Sequence, residues 1–179
     1  MLLASGVTDA LEYAILHEFT YGGNSVAAYA SGAAVALVGR NEGGKVLRQE
    51  AVHAVLARVH VHFQPEHWGF TARPMTVMIH FSRLSIMAIS DVNKKRMLEF
   101  ESLIDMLLES LIVRRRWQQG QDGADAVQEA SAGVLHELSL YGPGAVALRS
   151  HPDVVSTLHK LCKVGTKKGV EGAWCSGTV

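Results

Sequence analysis

The amino-acid sequence predicts an all-α fold, and three features lead to this prediction. Apolar residues recur at helical spacing in six segments of the chain. Glycine-rich or polar breaks separate these segments, as turns between helices do. Hydrophobic residues make up 48% of the chain but aromatic residues only 7%, so the core filling is mostly aliphatic and suits helix packing better than a β-sandwich.

The first three predicted helices cover residues 9–19, 45–63 and 74–89. In the first, Asp9 is the expected N-cap, and the stripe on one helical face is Leu11, Ile15 and Phe19. In the second, the stripe is Val52, Leu56, Val59 and Phe63. In the third, Pro74 stands where a first helical turn tolerates proline, and the stripe is Val77, Phe81, Leu84 and Ala88.

The last three predicted helices cover residues 95–113, 125–141 and 152–164. Their apolar stripes run through Met97 to Leu111, through Val127 to Tyr141, and along Val154, Val155, Leu158, Leu161 and Cys162. Turn signals separate the six segments, at 22–24, 41–44, 64–66, 114–123 and 142–144.

The helices follow an internal repeat. Residues 16–19 match 135–138, and a Tyr-Gly break follows each of these stretches. A third copy of the repeat lies 51 residues before the last one. Its Leu84 and Met87 correspond to Leu135 and Leu138. The predicted organisation is one domain over 1–179, with approximate units at 9–40, 45–113 and 124–164.

Residues 126–138 resemble the second helix of an armadillo repeat, because a run of small residues leads into Leu135-x-x-Leu138. The turn at Gly142 and the helix through Val154, Leu158 and Leu161 resemble the third helix, and residues 81–111 are similar in form. The resemblance implies a right-handed α-solenoid of stacked armadillo-like or HEAT-like repeats, whose concave face binds a peptide or protein.

The sequence departs from the armadillo pattern in two places. The first short helix of each unit is hard to identify, and the loop after Val113 is long, so two-helix HEAT units stay open as an alternative. A piece of a longer array is a second open alternative, because no polar capping repeat is evident.

Charge and composition disfavour two classes of partner, nucleic acids and membranes. The formal net charge is zero, with 17 basic and 17 acidic residues, which disfavours nucleic-acid binding. No apolar run approaches the roughly 18 residues that span a bilayer, so no membrane association is expected. The two cysteines, Cys162 and Cys175, form no metal or disulfide pattern. Free thiols fit a cytoplasmic protein of undetermined oligomeric state.

Signatures of catalysis and of cofactor binding are absent from the sequence. It contains no GxSxG, no HExxH and no phosphate-binding GxxxxGK[ST] motif, so we expect neither an enzyme nor a cofactor. The densest titratable group is His53, His60 and His62, whose spacing does not match helical zinc pairs. A helical metal-dependent enzyme that uses these three histidines is the alternative hypothesis, and a structural segment of a larger protein is another.

The main hypothesis is a scaffold that binds a protein or peptide partner. We expect the solvent-facing sides of two helices to carry the contact residues Ser102, Asp105, Glu109, Ser156, His159 and Lys163. A basic cluster after the fourth helix, with an aromatic anchor, adds Arg114, Arg115, Arg116 and Trp117.

Overall fold

The computed structural model describes residues 6–17, 20–21, 24–25, 30, 33–34, 47–63, 74–112 and 124–164. In this part of the chain there are eight helices, namely α1 (Val7–Leu16), α2 (Gln49–Phe63), α3 (Pro74–Met87), α4 (Asp91–Leu98), α5 (Leu103–Leu111), α6 (Ala124–Ser139), α7 (Gly142–Ser150) and α8 (Val154–Val164). Thr20–Tyr21 pairs antiparallel with Asn24–Ser25, a contact too short to form a sheet layer. The prediction of an all-α fold is confirmed.

Two of the shorter helices begin in the same way. Ser90 precedes α4 and Tyr141 precedes α7, and both have extended backbone conformations. The first intrahelical bonds are also equivalent, because the N–H of Lys94 donates to Ser90 O at 2.8 Å and that of Ala145 to Tyr141 O at 2.9 Å. Helices α4 and α7 therefore occupy equivalent places in the chain.

The segment predicted as one helix over 95–113 is two helices, so this prediction is wrong. Between α4 and α5 the N–H of Phe100 donates to Met97 O, and the N–H of Leu103 donates to Phe100 O, both at 3.0 Å. The Phe100 ring makes edge-on contacts with His53 and His60 of α2. We attribute the break to this tertiary contact, which apolar periodicity cannot reveal.

Two predicted helix boundaries are also wrong. The expected turn at 142–144 is the first turn of α7, where proline is tolerated because that N–H has no helical partner. Asp9 is not the N-cap of α1, because Gly6 takes that position with φ of 77°. Asp9 lies in the first turn instead, where a carboxylate interacts favourably with the helix dipole.

A buried pattern recurs on three helices at intervals of 51 residues. The members of each set are fully or almost fully buried and line the core side of α2, α5 and α8. The sets are Val52, Leu103 and Val154; Val55, Met106 and Thr157; Leu56, Leu107 and Leu158; and Val59, Ser110 and Leu161. Burial at the same interval on all three helices indicates that they have equivalent core sides.

Corresponding helices also pack against each other. Helix α3 contacts α6, α4 contacts α7, and α5 contacts both α2 and α8. Gly133 of α6 faces α3, because an added Cβ there would lie 4.0 Å from Cβ of Ser85. The core is therefore continuous along the row α2, α5 and α8 and along the row α3 and α6.

Candidate protein-binding surface

The predicted contact residues lie on the solvent side of α5 and α8. Asp105, Ser156, His159 and Lys163 are exposed, and Ser102 and Glu109 are partly exposed. Residues 102, 105 and 109 are spaced to share one helical face, as are residues 156, 159 and 163. Residues 114–117, the predicted basic cluster with Trp117, lie outside the described residues.

The two helices that carry these faces are in contact. Helix α5 packs against α8, and Asp105 and Ser156 lie 51 residues apart, at equivalent positions of their helices. We call the combined area, formed by residues 102, 105, 109, 156, 159 and 163, the α5–α8 surface.

Charge is divided unequally across the α5–α8 surface. Helix α5 carries Asp105 and Glu109 and no basic residue, whereas α8 carries Lys160 and Lys163 and no acidic residue. His151, just before α8, joins the two units, because its Nε2 lies 3.1 Å from Oδ1 of Asp105. A partner that covers both halves therefore meets an acidic row beside a basic one.

A buried polar network beneath this surface fixes α5 against α6. The hydroxyl of Ser110 bonds to that of Ser131, which in turn donates to Val127 O at 2.7 Å. Gln128 Nε2 donates to Leu111 O at 2.6 Å, which satisfies a carbonyl in the last turn of α5. Side chains that bond across two helices hold α5 in one orientation.

A buried ammonium group links α4 to α6. Lys94 is only 4% exposed, and its Nζ lies 3.0 Å from Asp91 Oδ1 and 3.4 Å from Glu137 Oε2. The neighbouring Asn93 is fully buried, and neither of its side-chain polar atoms has a hydrogen-bond partner among the residues that the structure describes. Apolar periodicity does not predict either burial, because both residues lie in a helix of polar composition.

At the start of the described chain, a second ion pair joins α1 to the residue that precedes α2. The buried carboxylate of Glu12 accepts hydrogen bonds from the backbone N–H and Nε of Arg48. The hydrogen bond to Glu12 raises the pKa of Arg48, and the Glu12 charge acts in the same direction. Arg58 adds a bond from Nη2 to Ile15 O at 2.6 Å. These contacts hold α1 against α2 and the residue before it. Both helices lie far in sequence from the α5–α8 surface.

The histidines of α2 have aromatic and backbone contacts. The ring centroids of His53 and His60 lie 5.9 Å and 6.3 Å from that of Phe100. His53 Nε2 also lies 3.0 Å from Arg96 O. The side chain of His62 lies outside the described residues. Among the residues that the structure does describe, no three His, Cys, Asp or Glu side chains form a group suited to a metal ion.

The apolar stripe predicted for the last helix is partly wrong. Val154, Leu158 and Leu161 are buried, but Val155 is 52% exposed and Cys162 is exposed. Cys162 is therefore a surface thiol and not the core thiol that its stripe suggested. Cys175 and the predicted turn at 41–44 lie outside the described residues.

Searches with models of protein families, among curated proteins and among solved structures find no match to this chain. None of the helices in the described ranges is long and apolar enough to cross a membrane.

Proposed function

We propose that the protein is a non-enzymatic scaffold of armadillo-type helical repeats that binds a protein or peptide partner. The observation that supports this most strongly is the recurrence of four buried positions on α2, α5 and α8 at intervals of 51 residues. A repeat array needs this regularity, because each unit buries its apolar side only against its neighbours. The contacts of α3 with α6 and of α4 with α7 agree with it.

The α5–α8 surface is the proposed contact area. Its side chains are exposed or partly exposed and carry both signs of charge, and a buried network fixes α5, one of its two helices, against α6. A backbone that is already ordered in a helix loses little conformational freedom when a partner binds. A right-handed solenoid, as the armadillo resemblance implies, is part of the proposal.

The array part of the proposal is tested by truncation after Val113, which removes α6, α7 and α8. We expect far-UV circular dichroism to show a helical remainder that unfolds cooperatively at a lower temperature, because α2, α5 and their neighbours keep their own contacts. Complete loss of helical structure in the shorter chain would indicate one closed domain and would contradict the array.

The binding part is tested by photo-crosslinking in cells that express the protein. A benzophenone amino acid at Ser156 should yield adducts with a defined partner, and Lys163→Glu should reduce their yield. Arg149→Glu is the matched control, because it reverses an exposed charge on α7 outside the proposed area. Equal adduct yields in both variants, or no adducts at all, would contradict a partner on the α5–α8 surface.

A further inference from the structure

Two exposed apolar residues stand at equivalent places of α3 and α6. Ile89 and Leu140 lie 51 residues apart, each within two residues of the end of its helix, and they are 54% and 64% exposed. The N–H of Ile89 donates to Ile86 O at 3.3 Å, and that of Leu140 donates to His136 O at 3.2 Å, so both residues continue a helical turn. Because α6 packs against α3, the exposure of Ile89 does not result from a missing neighbour.

The same line of residues faces solvent on both helices. The members of each line are spaced by four and three residues, so they share one side of the helix, and all of them are exposed or partly exposed. The lines are Ser82, Ile86 and Ile89 after the start of α3, and Gly133, Glu137 and Leu140 at the positions 51 residues later. We call these six residues the α3–α6 surface.

The two lines lie side by side. A Cβ added at Gly133 would lie 4.0 Å from Cβ of Ser85, so α3 and α6 touch next to the exposed lines. Lys94 of α4 contacts Glu137 near the end of α6, and α4 also packs against α7. Since α4 follows α3 and α7 follows α6, the C-terminal ends of α3 and α6 lie at the same end of the pair. The α3–α6 surface is therefore continuous across both helices, with its most exposed apolar residues at that end.

The charge that α3 and α6 present on this side is negative. Helix α6 carries three carboxylates, one of which is Glu137, and no lysine or arginine. Arg83 is the single lysine or arginine of α3, and it lies two residues before Ser85, on the opposite side of the helix from α6. Lys94 contacts Glu137, but its side chain is only 5% exposed, so a partner that approaches from solvent meets the carboxylate.

Glu137 keeps room for a second cation. Its Oε2 lies 3.4 Å from Nζ of Lys94, which is its one ion-pair partner in the part of the chain that the structure describes. The two oxygens of a carboxylate offer about four acceptor positions, so one ammonium group does not fill them. The side chain of Glu137 is 31% exposed. A basic side chain can therefore bind this carboxylate from the solvent side.

We propose that the α3–α6 surface binds a segment of a partner protein in which a lysine or arginine stands beside apolar side chains. The apolar side chains pack on Ile89 and Leu140, and the basic group binds Glu137. Because the same line is exposed on both helices, the surface extends along the pair and suits an extended segment. The inference goes beyond the proposed function, since it places a second binding area on a different row of helices from the α5–α8 surface.

Other occupants fit the α3–α6 surface less well. A two-fold contact with a second copy would bring the acidic helix α6 against itself, and like charges oppose such an association. Nucleic acids and anionic membranes bind proteins through lysine and arginine, whereas α6 has neither. A basic protein segment is the occupant that the charge of this surface favours.

The test is a selection from a phage-displayed library of random linear peptides, with the full-length protein as bait. We expect the selected peptides to combine lysine or arginine with apolar residues. Their synthetic versions should bind the protein in fluorescence anisotropy titrations, with an affinity that falls as the salt concentration rises, because salt screens exposed ion pairs. Versions in which glutamate replaces the basic residue should lose binding.

Two pairs of matched variants locate the site. Leu140→Ser should weaken peptide binding by about tenfold, as the loss of an apolar contact does, whereas Val155→Ser, at an exposed valine of α8, should leave the affinity unchanged. Glu137→Gln should weaken binding by about fivefold and reduce its salt dependence, whereas Glu99→Gln, at an exposed position after α4, should do neither. Far-UV circular dichroism should show the same helix content in all four variants.

Each other outcome overturns the inference. It fails if no peptide is selected, if the peptides lack basic residues, or if they bind Leu140→Ser as tightly as the unchanged protein. Peptides that lose affinity with Val155→Ser instead lie on the α5–α8 surface, which leaves the proposed function standing and removes the second area. A dimer in analytical ultracentrifugation that Leu140→Ser dissociates assigns the surface to a second copy. The proposed function has its own test, because photo-crosslinking at Ser156 does not depend on the α3–α6 surface.

Discussion

Lys94 Nζ on α4 lies 3.4 Å from Glu137 Oε2 on α6, and the lysine side chain is only 5% exposed. Its second partner, Asp91, is 70% exposed at the side chain, and Glu137 is 31% exposed. The lysine is therefore the buried member of the group, whereas both carboxylates keep access to water. The cost of breaking the group depends on which member is removed.

We expect the double variant Asp91→Asn, Glu137→Gln to lose about 3 kcal/mol of unfolding free energy, because it leaves a buried ammonium without a carboxylate. Lys94→Met should lose less, since the two carboxylates that remain can be hydrated. Adding Lys94→Met to the double variant should recover part of the stability. Urea unfolding measures all of these variants, and a triple variant less stable than the double would contradict the assignment.

Gln128 donates a hydrogen bond from its side-chain amide to the carbonyl of Leu111 in the last turn of α5. Replacing it by leucine leaves the carbonyl of Leu111 buried without this donor, at an expected cost of about 1–3 kcal/mol. Amide hydrogen exchange should accelerate in the last turn of α5 and much less in α4. Gln49→Leu, at an exposed position of α2, is the control and should change stability by less than about 0.5 kcal/mol. Equal losses in the two variants would mean that the bond to Leu111 O contributes little.

The sequence was sufficient to predict the all-α class of the fold. Val52, Leu56 and Val59 were recognised as one stripe because every third or fourth residue is apolar, and all three are buried. The same rule failed at Val155 and Cys162. A periodic pattern identifies the apolar side of a helix but does not show which neighbours are present to cover it.

The parts that could not be predicted depend on contacts distant in sequence. The break between α4 and α5 follows from Phe100 packing on His53 and His60, and the burial of Lys94 follows from its position beside Glu137 on α6. For the contact surface, spacing alone placed Asp105 and Ser156 on helix faces. The contact between α5 and α8 came from the structure.

The His53–Phe100–His60 contact leads to a prediction that separates packing from metal binding. Phe100→Ala should destabilise the protein by about 2–4 kcal/mol, because removal of the large ring leaves a partly filled space between α2 and the turn before α5. Dialysis against a chelator should leave the melting temperature of the unchanged protein where it was. Stoichiometric zinc in the purified protein, with a lower melting temperature after chelation, would instead favour the enzyme hypothesis based on His53, His60 and His62.

Gly144 marks a close approach between the start of α7 and the end of α6. A Cβ at Gly144 would lie 2.2 Å from the backbone oxygen of Leu138, a contact that no side-chain rotation can relieve. Gly144→Ala should therefore push α7 away from α6 and cost about 1–3 kcal/mol of unfolding free energy. Because α7 also packs on α4, the displacement should accelerate amide exchange in α4 as well.

The matched control for that substitution lies two residues earlier. A Cβ at Gly142 would meet nothing within 4 Å, so Gly142→Ala should change the unfolding free energy by less than about 0.5 kcal/mol. Thermal and urea unfolding of the two alanine variants, measured side by side, check the comparison. If both substitutions were equally well tolerated, α7 would not be in contact with the Leu138 carbonyl, and the packing of α7 against α6 would have to be revised.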